Sequence, residues 1–149
     1  MKVSLRRFQP GDWVWLAEVE SKPDMVQYQD FEARTPETAQ KYVEEAIHDT
    51  EEYVERVVCD LGTTQMIGRV GLRRDGQVGW LWYSIEPSWQ GKGVATEAVR
   101  QLMANMAMPE YRIECHPQNL PSRGVARRLG MHLVIEEENS CTYSSWKTE

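Results

Sequence analysis

Gln90-Gly91-Lys92-Gly93-Val94-Ala95-Thr96-Glu97-Ala98 is the stretch on which the reading of this chain turns. It follows a strand-like run, Trp80 to Ile85, and opens a helical pattern from Val94 to Ala107 whose apolar face is Val94, Ala98, Leu102 and Met106. Glycines in such a loop clear space for a ligand. The first amides of the helix have no internal partner and sit at its positive end, so strand, loop and helix together cradle an anion, phosphate above all. Lys92 adds a mobile cation there.

Two common phosphate loops are excluded by spacing. A dinucleotide fingerprint needs a third glycine where Thr96 stands, and a Walker loop needs its lysine after the last glycine with a hydroxyl residue next, whereas Lys92 lies between Gly91 and Gly93. What remains is Gln-x-x-Gly-x-Ala, carried by Gln90, Gly93 and Ala95. A second segment lies about one helix and one strand further on. It is Ile113-Glu114-Cys115-His116-Pro117-Gln118-Asn119-Leu120-Pro121-Ser122-Arg123-Gly124-Val125-Ala126-Arg127-Arg128-Leu129-Gly130-Met131.

These two segments, in this order, resemble the GNAT superfamily of N-acetyltransferases, and within it the Rim-type branch of enzymes like the ribosomal-protein alanine acetyltransferases. That family places Gln/Arg-x-x-Gly-x-Gly/Ala at the pyrophosphate of acetyl-CoA. The Rim-type branch closes the cofactor site with Asn-x-x-Ser, then a basic residue, Leu-Gly and a large apolar residue. Leu5-Arg6, Asp12, Asp24 to Tyr28, Thr35 to Ala39 and Ile67-Gly68 look like Rim-type counterparts as well, so the resemblance covers nearly the whole chain.

The resemblance implies roles. The backbone of Gln90, Gly91, Lys92, Gly93, Val94, Ala95 and Thr96 holds the pyrophosphate, and Asn119 pairs with the pantetheine arm. The strand ending Tyr83-Ser84-Ile85 splays from its neighbour and leaves the Ile85 amide for the thioester carbonyl. Ser122 gives a proton to the departing thiolate, with water as a relay because a hydroxyl is a weak acid. Each has a plainer alternative: Asn119 as a cap before Pro121, Ser122 as a first-turn serine. The general base is not legible. Relatives often carry a glutamate on the strand before the loop, but here that strand reads Val78-Gly79-Trp80-Leu81-Trp82, which leaves Glu86, Asp30 or Glu32 through water, or no dedicated base.

Trp80 and Trp82 share a strand face, either as core or as the lining of an acceptor pocket. His116, before Pro117, is a base by type, but its place in the motif suggests a structural strand end. A lysine amine has a pKa of about 10.4 and an α-amine one of about 8, so the α-amine needs less help at neutral pH.

With 149 residues the chain is the size of one domain, expected over 1–149. The mixed composition is that of a soluble protein, and no run reaches the ~20 apolar residues of a membrane span. The start lacks the apolar stretch of a signal peptide, so a cytoplasmic location is expected. Cys59, Cys115 and Cys141 show no ligand spacing; small buried hydrophobes are expected, without disulfide or metal. A net charge of −6 argues against a nucleic-acid surface and is compatible with an amine acceptor.

Periodicity gives strands over Val3 to Phe8, Tyr53 to Leu61, Met66 to Arg74, Gln77 to Ile85, Tyr111 to His116, Met131 to Glu137 and Cys141 to Trp146. Helices follow Asp12 and Thr35-Pro36 and occupy Val94 to Ala107 and Pro121 to Leu129, with Ser21 to Arg34 irregular and Asp75-Gly76 as a hairpin turn. The expected fold is α/β, GNAT-type, with a mixed, mostly antiparallel sheet of about seven strands flanked by about four helices. The expected function is transfer of an acetyl group from acetyl-CoA to a primary amine, a protein N-terminus or a small molecule, by direct attack in a ternary complex. A non-catalytic acyl-CoA binding or sensing module is the alternative, and a homodimer is left open.

Overall fold

The structure, a computed structural model, describes residues 3–29 and 31–146. The strands are β1 (Val3–Arg6), β2 (Tyr53–Asp60), β3 (Met66–Asp75), β4 (Val78–Ile85), β5 (Glu110–Cys115), β6 (His132–Glu136) and β7 (Cys141–Ser144). The helices are α1 (Trp13–Val19), α2 (Pro23–Val26), α3 (Pro36–Ala46), α4 (Val94–Asn105) and α5 (Leu120–Arg128). Among the described residues the strands make one sheet in the order β1-β2-β3-β4-β5-β7-β6, antiparallel except between β4 and β5. This is the mixed α/β fold that the pattern predicts.

Helix α3 shows why the start signals were legible. Thr35 accepts a hydrogen bond from Thr38 N–H, the Thr38 hydroxyl accepts from Thr35 N–H, and Pro36 takes the first helical position, where a missing N–H costs nothing. The hairpin between β3 and β4 lies one residue later than expected. Asp75 pairs with Val78, so Gly76 and Gln77 form the two-residue loop, and Gly76 adopts φ +61°. The stretch after α1 holds one helical turn, α2, opened by Pro23.

Two apolar layers cover the sheet. Val94, Ala98 and Leu102 of α4 pack with Leu72, Leu81, Ile85 and Ile113 on one face. Leu16 of α1 and Ala39 and Val43 of α3 pack with Val57 and Cys59 on the other, over the β1 side. The β4 and β5 end of that second face is left open by these helices. No helix among the described residues is long and apolar enough to cross a membrane.

Candidate active site

β4 and β5 run parallel but pair only at Val78 with Glu110, Gly79 with Tyr111 and Trp80 with Arg112. Beyond Trp80, β4 stays with β3 as far as Ile85, while β5 stays with β7. The two strands therefore part. Glu86 N–H bonds to Ile67 O on the β3 side, and strand backbones alternate, so the N–H and C=O of Ile85 face the gap. The Ile85 carbonyl accepts from Gln90 Nε2 at 2.9 Å. Its amide is the donor left facing the gap.

On the α4 side the gap opens into a cleft of about 580 Å³. Ile85, Gln90, Gly91, Gly93, Val94, Ala95, Thr96, Asn119 and Ser122 all line it, so the structure brings these expected residues together. Gly91 and Gly93 adopt φ +73° and +83°, a left-handed backbone that glycine takes without strain. The first bond inside α4 runs from Glu97 N–H to Gly93 O, so the amides of Val94, Ala95 and Thr96 project from the helix end unpaired within it. Thr96 Oγ1 is buried without a hydrogen-bond partner beside them. Unspent donors at a helix N-terminus fit a diphosphate. Lys92 is placed differently from the expectation: its ammonium rests 5.4 Å from the Trp89 ring centroid, outside the cleft lining.

Asn119 caps α5 by accepting from Ser122 N–H at 3.3 Å, and it also lines the cleft. Ser122 Oγ accepts from the Tyr83 hydroxyl at 2.7 Å. Burial pushes the Tyr83 phenol up to about 12, against the smaller lowering effect of its bond to Ser122. Tyr83 is a site residue that sequence reading missed, as is Arg128, which also lines the cleft. For Arg128 a signal existed: Ser122, Val125 and Arg128 recur every three residues along one face of α5.

On the opposite face a second cleft of about 380 Å³ is lined by residues including Tyr28, Arg73, Trp80, Trp82, Glu114 and His116. Trp80 and Trp82 are half-buried floor here rather than closed core. The indole of Trp82 lies on Gly71, where a Cβ would come within 2.2 Å of it, and Tyr53 meets it edge-on. His116 stacks on Tyr28, and its Nδ1 accepts from Gln118 N–H, so that lone pair is spent. Glu86 accepts from the Ser88 hydroxyl, and neither it nor Glu32 lines either cleft. Asp30 lies outside the described residues. Tyr28 and Gln29 line both clefts and so mark where they meet. No metal-ligand cluster occurs among the described residues.

The segment carrying Tyr28 is anchored by buried charge. Glu20 and Arg34 bracket it, joined by Arg34 N–H to Glu20 O at 2.8 Å and by Arg34 Nε to Glu20 Oε1 at 3.3 Å. Arg69, only 3% exposed, bonds both oxygens of Glu20 and one of Glu55, and Glu55 accepts from the Tyr42 hydroxyl.

Residues 2–132 match the family described as an acetyltransferase (GNAT) domain. An uncharacterised N-acetyltransferase of Bacillus subtilis, YnaD, is 24% identical over 139 residues, spanning 87% of this chain and 79% of its own. The ribosomal L7/L12 alpha-N-protein acetyltransferase RimL, solved with coenzyme A, superposes with a TM-score of 0.84 at 19% identity over 97% of this chain and 93% of its own. The spermidine N-acetyltransferase of Vibrio cholerae, solved with coenzyme A and spermine, gives 0.78 at 16% identity over 95% and 92%.

Proposed function

The chain belongs to the GNAT acetyltransferase family, and we propose that its two clefts meet at the parted ends of β4 and β5 to bring acetyl-CoA and an amine acceptor together from opposite faces of the sheet. The protein is an acyltransferase, an N-acetyltransferase that uses acetyl-CoA. The observation that carries the arrangement is the early end of β4 and β5 pairing, which turns the Ile85 amide toward the gap.

Acetyl-CoA supplies the acetyl group as a thioester, and its transfer forms a C–N bond, breaks a C–S bond and moves one proton from nitrogen to sulfur. The amides of Val94, Ala95 and Thr96 and the Thr96 hydroxyl hold the diphosphate, with the left-handed turns at Gly91 and Gly93 aiming them. Gln90 braces the end of β4 through the Ile85 carbonyl, which keeps the Ile85 amide directed at the thioester carbonyl. Asn119 presents the start of α5 and offers its amide to the pantetheine arm. Ser122 delivers the proton to sulfur. Because Tyr83 donates to Ser122 Oγ, the serine hydrogen is free to point into the cleft.

Direct attack in a ternary complex is our reading of two clefts that meet across the sheet, one for each substrate. A single domain over 1–149 in the cytoplasm is our reading of the composition, with a protein N-terminus or a small amine as acceptor and a homodimer compatible with it. Thiol release from acetyl-CoA with a panel of amines tests the reading. Release that depends on amine and falls in Ser122→Ala is expected; tight acetyl-CoA binding with no release for any amine returns the chain to the sensing alternative.

A further inference from the structure

The second cleft carries more information than its position. Its aromatic floor is built, not incidental: Gly71 leaves room for the Trp82 indole to lie flat on β3, Tyr53 abuts its edge, and Trp80 stands two residues back on the same face. A pinned indole with one face on the sheet presents the other to the cleft. Around this floor the cations are already engaged. Arg112 bonds Glu110 at 2.6 Å and lies 5.8 Å from the Trp80 centroid, and Arg73 lies 3.9 Å from Asp75.

One carboxylate in the lining has no ion-pair partner among the described residues, Glu114. Trp80 and Arg112 are the last paired residues of β4 and β5, so Trp82 and Glu114 stand two positions beyond them, on the same face, on either side of the gap. An unpaired carboxylate beside the Trp82 indole and a Trp80 ring that Arg112 covers on one side attracts a cation, and a flat apolar floor favours a ring. The volume lies toward the small end of the roughly 300–1,000 Å³ of small-molecule sites.

Building on the acetyltransferase reading, we infer that the acceptor is a small primary amine bearing an aromatic or similarly flat body, its ammonium held by Glu114 and its ring laid on Trp80 and Trp82. Glu114 binds and orients the nitrogen; the proton that the amine must lose leaves to solvent at the open mouth.

The test compares phenethylamine with butylamine, which keeps the ammonium and lacks the ring, and with spermidine and a tetrapeptide with a free N-terminus. Phenethylamine is expected to exceed each of the others in kcat/KM by about tenfold or more. Glu114→Gln, at an exposed side chain that the fold does not need, should raise the amine KM about tenfold with the KM for acetyl-CoA unchanged. Trp80→Ala should erase the preference for the ring. Equal or better turnover of butylamine, spermidine or the tetrapeptide overturns the inference and leaves the transferase reading standing. If no amine is acetylated although acetyl-CoA binds, the transferase reading fails. Calorimetric titration of phenethylamine into the coenzyme A complex then decides the cleft separately: binding weakened by Glu114→Gln supports it, and no binding overturns it.

Discussion

The Tyr83 hydroxyl donates to Ser122 Oγ across 2.7 Å and ties the end of β4 to the first turn of α5 at the wall of the cleft lined by Gly91 and Gly93. With its phenol pushed by burial up to about 12, Tyr83 stays protonated through the neutral and mildly alkaline range and keeps its place as donor. Ser122→Ala is expected to lower kcat by about 10²-fold, and Tyr83→Phe by about tenfold with little change in KM. Because the two act as a unit, the double variant should be no slower than Ser122→Ala. The alkaline limb of the wild-type profile should carry no contribution from Tyr83 until pH nears 12. Steady-state kinetics of the three variants would contradict this if their losses simply multiplied.

Gly93 governs where the α4 amides point. A Cβ there meets nothing within 4 Å, so the obstacle is its φ of +83°, which costs a non-glycine residue about 1–2 kcal/mol. Gly93→Val relieves that cost by rotating the loop and turning the Val94, Ala95 and Thr96 amides away. Calorimetry should show acetyl-CoA affinity lowered by about tenfold or more, while Tm drops only a few degrees. Unchanged affinity would contradict the diphosphate assignment.

Gly71 separates the two clefts experimentally. Its substitution by alanine drives a methyl group into the Trp82 ring, 2.2 Å from Cζ2, and the indole must leave its seat. Overpacking of this kind costs about 1–3 kcal/mol. Amine KM should rise while the KM for acetyl-CoA holds. A rise in both would mean that the strand itself had shifted and that Trp82 is not a separate platform.

Local chemistry explains what the sequence made legible. The Thr35-Pro36 cap, the glycine turn before Val94 and the Asn119 to Ser122 motif each write their conformation within a few residues, so the helix starts and the residues that gather around the larger cleft could be read directly. The hairpin loop shifted by one residue because Asp75 still finds a cross-strand partner in Val78. Other features depend on register between distant strands. Glu114 meets the acceptor face only because Trp80 aligns with Arg112. Tyr83 reaches Ser122 only because α5 packs against α4 and β5 beside the end of β4, and β7 lies between β5 and β6 although it follows both in sequence. No periodicity encodes such meetings.

Among the described residues Arg69 is the one cation that touches both Glu20 and Glu55, and its loss should reverse the response of Glu20 to pH. Burial alone would raise the Glu20 carboxyl; the charge and hydrogen bonds of Arg69, helped by Ser84 and Arg34, hold it below the usual range. Glu20 in the wild type therefore contributes stability that is present above its unfolded pKa of about 4.3 and lost as pH falls through its lower folded value. Burial already holds the Glu55 carboxyl above the usual range in spite of Arg69; in Arg69→Met burial prevails at Glu20 as well, and stability is lost as pH climbs through both carboxyls. Urea unfolding should show a loss of about 3–5 kcal/mol at pH 7, the cost of stranding buried charge. At pH 5, where the stranded carboxyls take up protons, the loss should be smaller. An equal loss at both pH values would mean that water reaches the carboxylates, and that Glu20 and Arg34 do not owe their hold on the Tyr28 segment to a dry ionic cluster.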